Sequence, residues 1–227
     1  MNTCVLAISF GRYLDLVDDE LVTLGLCGML HDIGKLAISK DIINKPTGLD
    51  AEEMTIMQSH TTLGKNILSS HSKKGGEIAE ILNKSTGLDF EVLDIMRSQN
   101  TLDESLFTSS SRGMASIIAE VAYCHHERLD GLGYPRGLSG KQISPYAKMI
   151  AIIDAYDSLT SDKPYQKAET HFEAINVLLT GVNTQFDETL VNCFIQSLGA
   201  YPAGSAIEMN SGELAIVIEV NQHQKLR

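Results

Sequence analysis

Leu30-His31-Asp32-Ile33-Gly34-Lys35 decides how this chain is read. The hexapeptide closes a stretch from about Asp19 to Leu36 in which Leu21, Leu24, Leu26, Met29, Leu30 and Ile33 recur at helical spacing. That pattern predicts a helix buried on much of its surface. His31 and Asp32 interrupt it, and burying an imidazole and a carboxylate without a partner is costly. Working outward, the same contradiction recurs. His60 lies in the middle of a helix expected to run from Asp50 to about Leu68, opened by Asp50 and Glu53 as a capping-box pair. His125 and His126 stand in Tyr123-Cys124-His125-His126-Glu127. Asp154 breaks the apolar run Ile152-Ile153-Asp154-Ala155, in a helix that Ser144 caps and Pro145 starts.

Each of these residues has an ordinary reading when taken singly. A lone helical histidine is usually a hydrogen-bonded core or surface residue, His125-His126 before Glu127 suits an exposed polar turn, and Asp154 suits a cap or an ion pair. Together, on separate helices, they point to one shared partner, and a metal cluster inside a helical bundle satisfies them all. Imidazole and carboxylate donors suit iron, manganese or zinc. Cys4, Cys27, Cys124 and Cys193 are scattered without a CxxC pair, which argues against a cysteine-rich structural zinc site and for free thiols. Neighbouring ligands on a helix diverge by about 100°, so one member of a pair can bridge two metals while the other binds one. His71, His171 and His223 sit in polar contexts and read as solvated.

The rest of the chain sets the frame. With 227 residues and 43% hydrophobic composition it suits one globular domain with a small appendage. The formal net charge of -11 repels a nucleic-acid backbone and excludes polymeric DNA or RNA as the natural partner. No apolar run is long enough to span a bilayer and Met1 opens no signal peptide, so the expected compartment is the cytoplasm. Thr170 with Glu173 opens a further helix, and Asp187 caps one ending near Gly199. The polar stretch 69–113 reads as an insertion with one or two short helices, partly mobile. From Ala206 the periodicity changes to alternation, with a turn at Asn210-Ser211-Gly212 and then Ala215-Ile216-Val217-Ile218. The expected architecture is mostly α, with a helical domain over 1–200 and a short β-hairpin appendage over 201–227 that docks on the helices or belongs to a β module cut short at Arg227.

Four ordered motifs carry a family resemblance. Leu30-His31-Asp32-Ile33-Gly34-Lys35 is similar to the HDIGK core of HD phosphohydrolases. His125-His126-Glu127-Arg128 with Asp130-Gly131-Leu132-Gly133-Tyr134-Pro135 resembles the HHExxDGxGYP signature of the HD-GYP branch. The segment from Asp154 through Asp157 to Asp162-Lys163-Pro164-Tyr165 resembles that branch's DxxDALTSDRPY segment, and Met57-Gln58-Ser59-His60 with Gly64 resembles its MxxHxxxG helix. The resemblance implies an HD-type helical bundle with two divalent metals, iron or manganese. It implies His31, Asp32, His60, His125, His126 and Asp154 as ligands, with Asp32 bridging. It implies Lys35 as the lysine that contacts the substrate phosphate, and a loop of Gly131, Gly133, Tyr134 and Pro135 beside the site. That loop would shape substrate access and contacts with GGDEF-type cyclase domains.

Two departures from the family pattern stand out. The family's first helix supplies a histidine ligand at or a little before the segment resembling Asn2-Thr3-Cys4-Val5-Leu6, and the chain begins at Met1. On that expectation Asp32, His60, His125 and His126 form a complete site, while His31, Asp32 and Asp154 form one that lacks a protein ligand. Lys163 stands where the family has arginine, keeping positive charge but not a bidentate grip on phosphate. The activity implied is metal-assisted hydrolysis of cyclic di-GMP to pGpG and GMP. Two other readings remain open: another cyclic dinucleotide such as cyclic GMP-AMP as substrate, and a module that binds a cyclic dinucleotide without turnover.

Overall fold

A computed structural model describes residues 2–71, 109–162, 167–199, 206–208 and 213–216. In chain order the helices are α1 (Asn2–Tyr13), α2 (Asp18–Leu30), a 3₁₀ segment (Ile33–Ala37), α3 (Lys40–Ile43), α4 (Ala51–Gln58), α5 (His60–His71), α6 (Ser109–Cys124), α7 (Pro145–Thr160), α8 (His171–Thr180) and α9 (Glu188–Leu198). Strands β1 (Ala206–Glu208) and β2 (Leu214–Ile216) pair antiparallel, with Ile207 opposite Ala215. The molecule is mostly helical with a small C-terminal strand pair, as the periodicity predicts. The turn at Asn210–Gly212, Lys163, His223 and the interior of the polar insertion lie outside the described residues.

The capping chemistry sets the helix starts. Asp50 accepts from Glu53 N–H at 2.9 Å while Glu53 accepts from Asp50 N–H at 3.0 Å. Thr170 and Glu173 repeat this reciprocal pair at α8, while Ser144 and Asp187 cap α7 and α9 by accepting from the N–H groups of Ala147 and Leu190. Gly199, with φ of 75° and ψ of 163°, takes a positive-φ conformation open to glycine and ends α9.

Helix α7 runs through the centre and packs against α1, α2, α6, α8 and α9. It buries Ala147, Met149, Ile150, Ile152, Ile153 and Tyr156, leaving no fully polar face, which is why Asp154 in its middle needs a partner. Phe10 of α1 and Phe194 of α9 meet edge to face at 5.2 Å and seal one side of the core.

Two boundaries differ from the sequence reading, and both fall at the candidate site. The helix expected over Asp19–Leu36 stops at Leu30; His31 and Asp32 form a break, and the chain continues as a 3₁₀ turn. The helix expected from Asp50 to Leu68 breaks at Ser59, so His60 opens α5 instead of lying mid-helix. At the far edge of the polar stretch, Ser109–Ser111 already belong to α6. His171 is no solvated surface residue: its Nδ1 lies 2.8 Å from the Tyr156 hydroxyl, and burial pushes its pKa below the ordinary histidine value.

Candidate metal centre

The local breaks bring the polar residues together. With three residues per 3₁₀ turn, Ile33–Ala37 swings Lys35 over Asp32 rather than over His31. The Lys35 ammonium sits 2.5 Å from Asp32 Oδ2. Gly34 allows this turn to touch the start of α5: a Cβ there would stand 1.8 Å from the His60 carbonyl oxygen and 2.6 Å from Gly64 N. That contact sets Asp32 Oδ1 at 3.3 Å from His60 Nε2.

Three imidazoles are oriented by the main chain. The Nδ1 atoms of His31, His60 and His125 face the carbonyls of Gly28 at 3.0 Å, Met57 at 2.7 Å and Val121 at 3.2 Å. A carbonyl only accepts, so each Nδ1 carries a proton and each Nε2 points to the centre. This is the arrangement that fixes tautomer and ring plane in metal-ligating histidines. Burial lowers the pKa of His31, but Asp154 and Asp32 outweigh it and raise it to about 10, so its Nε2 gives up a proton when it takes a metal. Burial holds His60 down to about 4, and burial with the neighbouring His125 holds His126 down to about 2, so both rings stay neutral at ordinary pH.

The six residues singled out from the sequence converge in two overlapping groups. Asp32, His60, His125 and His126 place one donor atom each within 4.8 Å of one another, as do His31, His125 and Asp154. Where the sequence grouped His31 and Asp154 with Asp32, the structure also brings His125 to them. Asp32 lies between the groups: Oδ1 faces His60 and His125 at 3.3 and 3.7 Å, and Oδ2 faces His31 at 3.4 Å. Burial pushes its carboxyl up, but His125, His31 and Lys35 more than offset this and hold it well below the usual carboxylate range. Burial likewise opposes ionisation of Asp154, and His31 overcomes it, holding that carboxyl down to about 2.

His31 Nε2 and Asp32 Oδ1 are buried with no hydrogen bond of acceptable geometry. Orphaned donors and acceptors at the focus of four imidazoles and two carboxylates fit a divalent cation, and the nitrogen–oxygen set suits a transition metal. On the open side Thr3, Gly28, Met29, Asp157, Ser158 and Ser161 line a cavity of about 330 Å³ reaching His31, Asp32 and Asp154.

Of the loop residues, Tyr134 reaches the centre. Its ring stacks on His126 with centroids 4.8 Å apart and planes at 26°. Gly131, with φ of 77°, turns within the loop beside Ser139 and Gly137, and Pro135 is exposed after a cis peptide bond. Sequence reasoning gave no role to Glu127, which is 3% exposed and accepts from the N–H groups of Arg136 and Leu138, each at 2.8 Å. A charged residue directly after two candidate ligands was the signal, but its main-chain partners carry none.

Known proteins resemble this chain in sequence and in fold. Residues 96–190 match the HD domain family, a window that contains His125, His126 and Asp154. A cyclic di-GMP phosphodiesterase of Pseudomonas aeruginosa is 33% identical over 216 residues, 95% of this chain and 42% of that protein. A 3′3′-cGAMP-specific phosphodiesterase of Vibrio cholerae is 28% identical over 191 residues, 84% of this chain and 33% of that protein. The chain thus spans less than half the length of these relatives. The solved structure of an HDG"Y"P protein from Bdellovibrio bacteriovorus shares the fold, with a TM-score of 0.53 at 17% identity over 85% of this chain and 49% of that one.

Proposed function

We propose, from the premise that this chain belongs to the HD domain family, that its helical domain is a metal-dependent phosphodiesterase hydrolysing cyclic di-GMP. One observation carries the reading: six side chains from separate helices and breaks converge in two overlapping groups, each with its donor atoms within 4.8 Å of one another. Two divalent ions held there, iron or manganese, would supply Lewis-acid polarisation of the phosphoryl group and a nucleophile at neutral pH.

The chain's own residues do the rest. His60, His125 and His126 with Asp32 form one half of the donor set, and His31 with Asp154 forms the other. Asp32 links them with one oxygen toward each half. Lys35, 40% exposed at the edge of this group, carries the positive charge that would meet a substrate phosphate oxygen and neutralise charge as the P–O bond breaks. Tyr134 closes one wall beside His126, and the GYP loop would border the path of the substrate; Lys163, to which the resemblance also gives a substrate contact, lies outside the described residues. The products are linear pGpG and, after a second cleavage, GMP. No described helix is long and apolar enough to cross a membrane, in keeping with a cytoplasmic enzyme acting on a soluble second messenger. Exchange with GGDEF-type cyclase domains through the GYP loop belongs to the same reading.

A mixed cyclic GMP-AMP substrate is the second reading, favoured by the Vibrio cholerae relative of that specificity. Metal ligands and Lys35 read phosphate, not base, so they serve either substrate. Chromatography of cyclic di-GMP and cyclic GMP-AMP after incubation with anaerobically purified protein and Fe(II) or Mn(II) separates the two. Turnover of cyclic di-GMP at the higher rate supports the main reading; metal binding with no product from either would leave a non-catalytic module.

Metal removal gives an independent prediction. A ligand present at 100 times its dissociation constant stabilises the folded state by about 2.7 kcal/mol. For a chain of this size that is about 5–11 °C of melting temperature. Chelation is expected to lower the melting temperature by that amount, and added Mn(II) to restore it. A melting curve indifferent to chelator and metal would argue against a loaded centre.

A further inference from the structure

His126 differs from the other three candidate imidazoles. Among the described residues no main-chain carbonyl bonds its ring; His125 lies against one side with centroids 4.1 Å apart and planes tilted by 43°, and the one stacked neighbour is Tyr134, at 4.8 Å and 26°. Tyr134 in turn is held by the loop that carries it. Its N–H donates to the His126 carbonyl at 3.2 Å. Gly133 lies so close to the chain before it that a Cβ would stand 2.5 Å from the same oxygen. The loop returns to Glu127, whose Oε1 and Oε2 take the N–H groups of Arg136 and Leu138 at 2.8 Å each. Two main-chain donors meeting two oxygens is an arrangement that a carboxylate satisfies and an amide does not. The Arg136 guanidinium turns away to Glu120 at 3.1 Å, so the latch is Glu127 to backbone, not an ion pair.

We propose that Glu127 is a positioning residue for the metal centre: it latches the 128–138 loop so that Tyr134 stacks on His126 and fixes the one ligand imidazole that no carbonyl orients. The proposal rests on the metal-centre reading above. Outer partners that orient a ligating histidine are worth about 10- to 100-fold in metal affinity. In Glu127→Gln the amide NH₂ faces a donor, so one of the two latch bonds is lost.

The test is Mn(II) titration of the full chain. Glu127→Gln and Tyr134→Ala are each expected to weaken Mn(II) binding about tenfold. The double variant should lose little more than either alone, because both act through the same stack. Arg128→Ala, which removes the exposed pair with Asp130 in the same loop, should leave affinity unchanged. The chain contains no tryptophan, so Tyr134→Trp is a single reporter whose fluorescence anisotropy in metal-free protein should fall when Glu127→Gln is added. Losses that multiply in the double variant, or an anisotropy that does not move, would overturn the latch. If Glu127→Gln does not fold, Tyr134→Ala with unchanged Mn(II) affinity overturns it as well. Wild-type protein that binds no Mn(II) would instead sink the metal-centre reading, while the anisotropy comparison still decides the latch.

Discussion

Replacing Asp32 with alanine is expected to reduce the proposed hydrolysis of cyclic di-GMP by more than the roughly 10- to 100-fold that loss of an outer partner alone costs. Each oxygen of Asp32 does separate work. Oδ1 lies 3.3 Å from His60 Nε2, and Oδ2 lies 3.4 Å from His31 Nε2 and 2.5 Å from the Lys35 ammonium. No other carboxylate among the described residues stands between the two donor groups; Asp154 lies 3.4 Å from His31 and belongs to the second group only, with His31 and His125. Alanine therefore takes a donor from both halves of the centre and leaves Lys35 without its counter-charge. Asp32→Asn keeps the shape and one oxygen but removes the negative charge, and should fall between wild type and alanine. Product chromatography with metal analysis of the same samples checks both points, with far-UV circular dichroism to show that the helices persist. An alanine variant that keeps its rate within threefold would sink the assignment of Asp32 as the bridge.

Much of this centre is legible in the sequence, because its residues contradict their surroundings. His31, Asp32 and Asp154 interrupt runs such as Ile152-Ile153 that must be buried, and the structure gathers them with His60, His125 and His126 into one cluster of donors. The helix boundaries were less legible. Ile33 continues the apolar spacing of α2, and a 3₁₀ turn keeps neighbours at i and i+3 on one face, so periodicity alone does not mark the break at His31–Asp32. That break decides the role of Lys35. In a continuous helix it would lie above His31; in the 3₁₀ turn it lies above Asp32. Glu127 was illegible for another reason: it bonds the N–H groups of Arg136 and Leu138, and a main-chain donor has no residue type by which to recognise it. The contact of His171 with Tyr156 was hidden in the same manner, since its sequence neighbours Thr170 and Glu173 are polar while its spatial neighbour lies on α7.

The second large effect separates two glycines of the same contact. Gly34→Ala is expected to be severely destabilising and inactivating, and Gly64→Ala nearly silent. At Gly34 a Cβ would stand 1.8 Å from the His60 carbonyl oxygen, 2.6 Å from Gly64 N and 2.7 Å from the His60 carbonyl carbon, all backbone atoms that no rotamer change can move. The 3₁₀ turn must lift away from α5, which carries Asp32 from His60 and opens the first donor group. Overpacking of this kind costs about 1–3 kcal/mol, and a clash with backbone belongs at the upper end. At this chain length about 3 kcal/mol is about 6–12 °C of melting temperature. At Gly64 the nearest atom to a new Cβ is Gly34 N at 3.4 Å, an ordinary contact, and the residue lies inside α5, where alanine is the better helix former. Gly113→Ala in α6 meets nothing within 4 Å and serves as a clash-free reference for the helix propensity that alanine adds. Melting curves and Mn(II) content of the three variants should therefore rank Gly34→Ala far below the other two. Equal melting temperatures for the Gly34 and Gly64 variants would show that the turn and α5 can slide past one another. The centre would then owe its geometry to the imidazole–carbonyl bonds rather than to the close approach at Gly34.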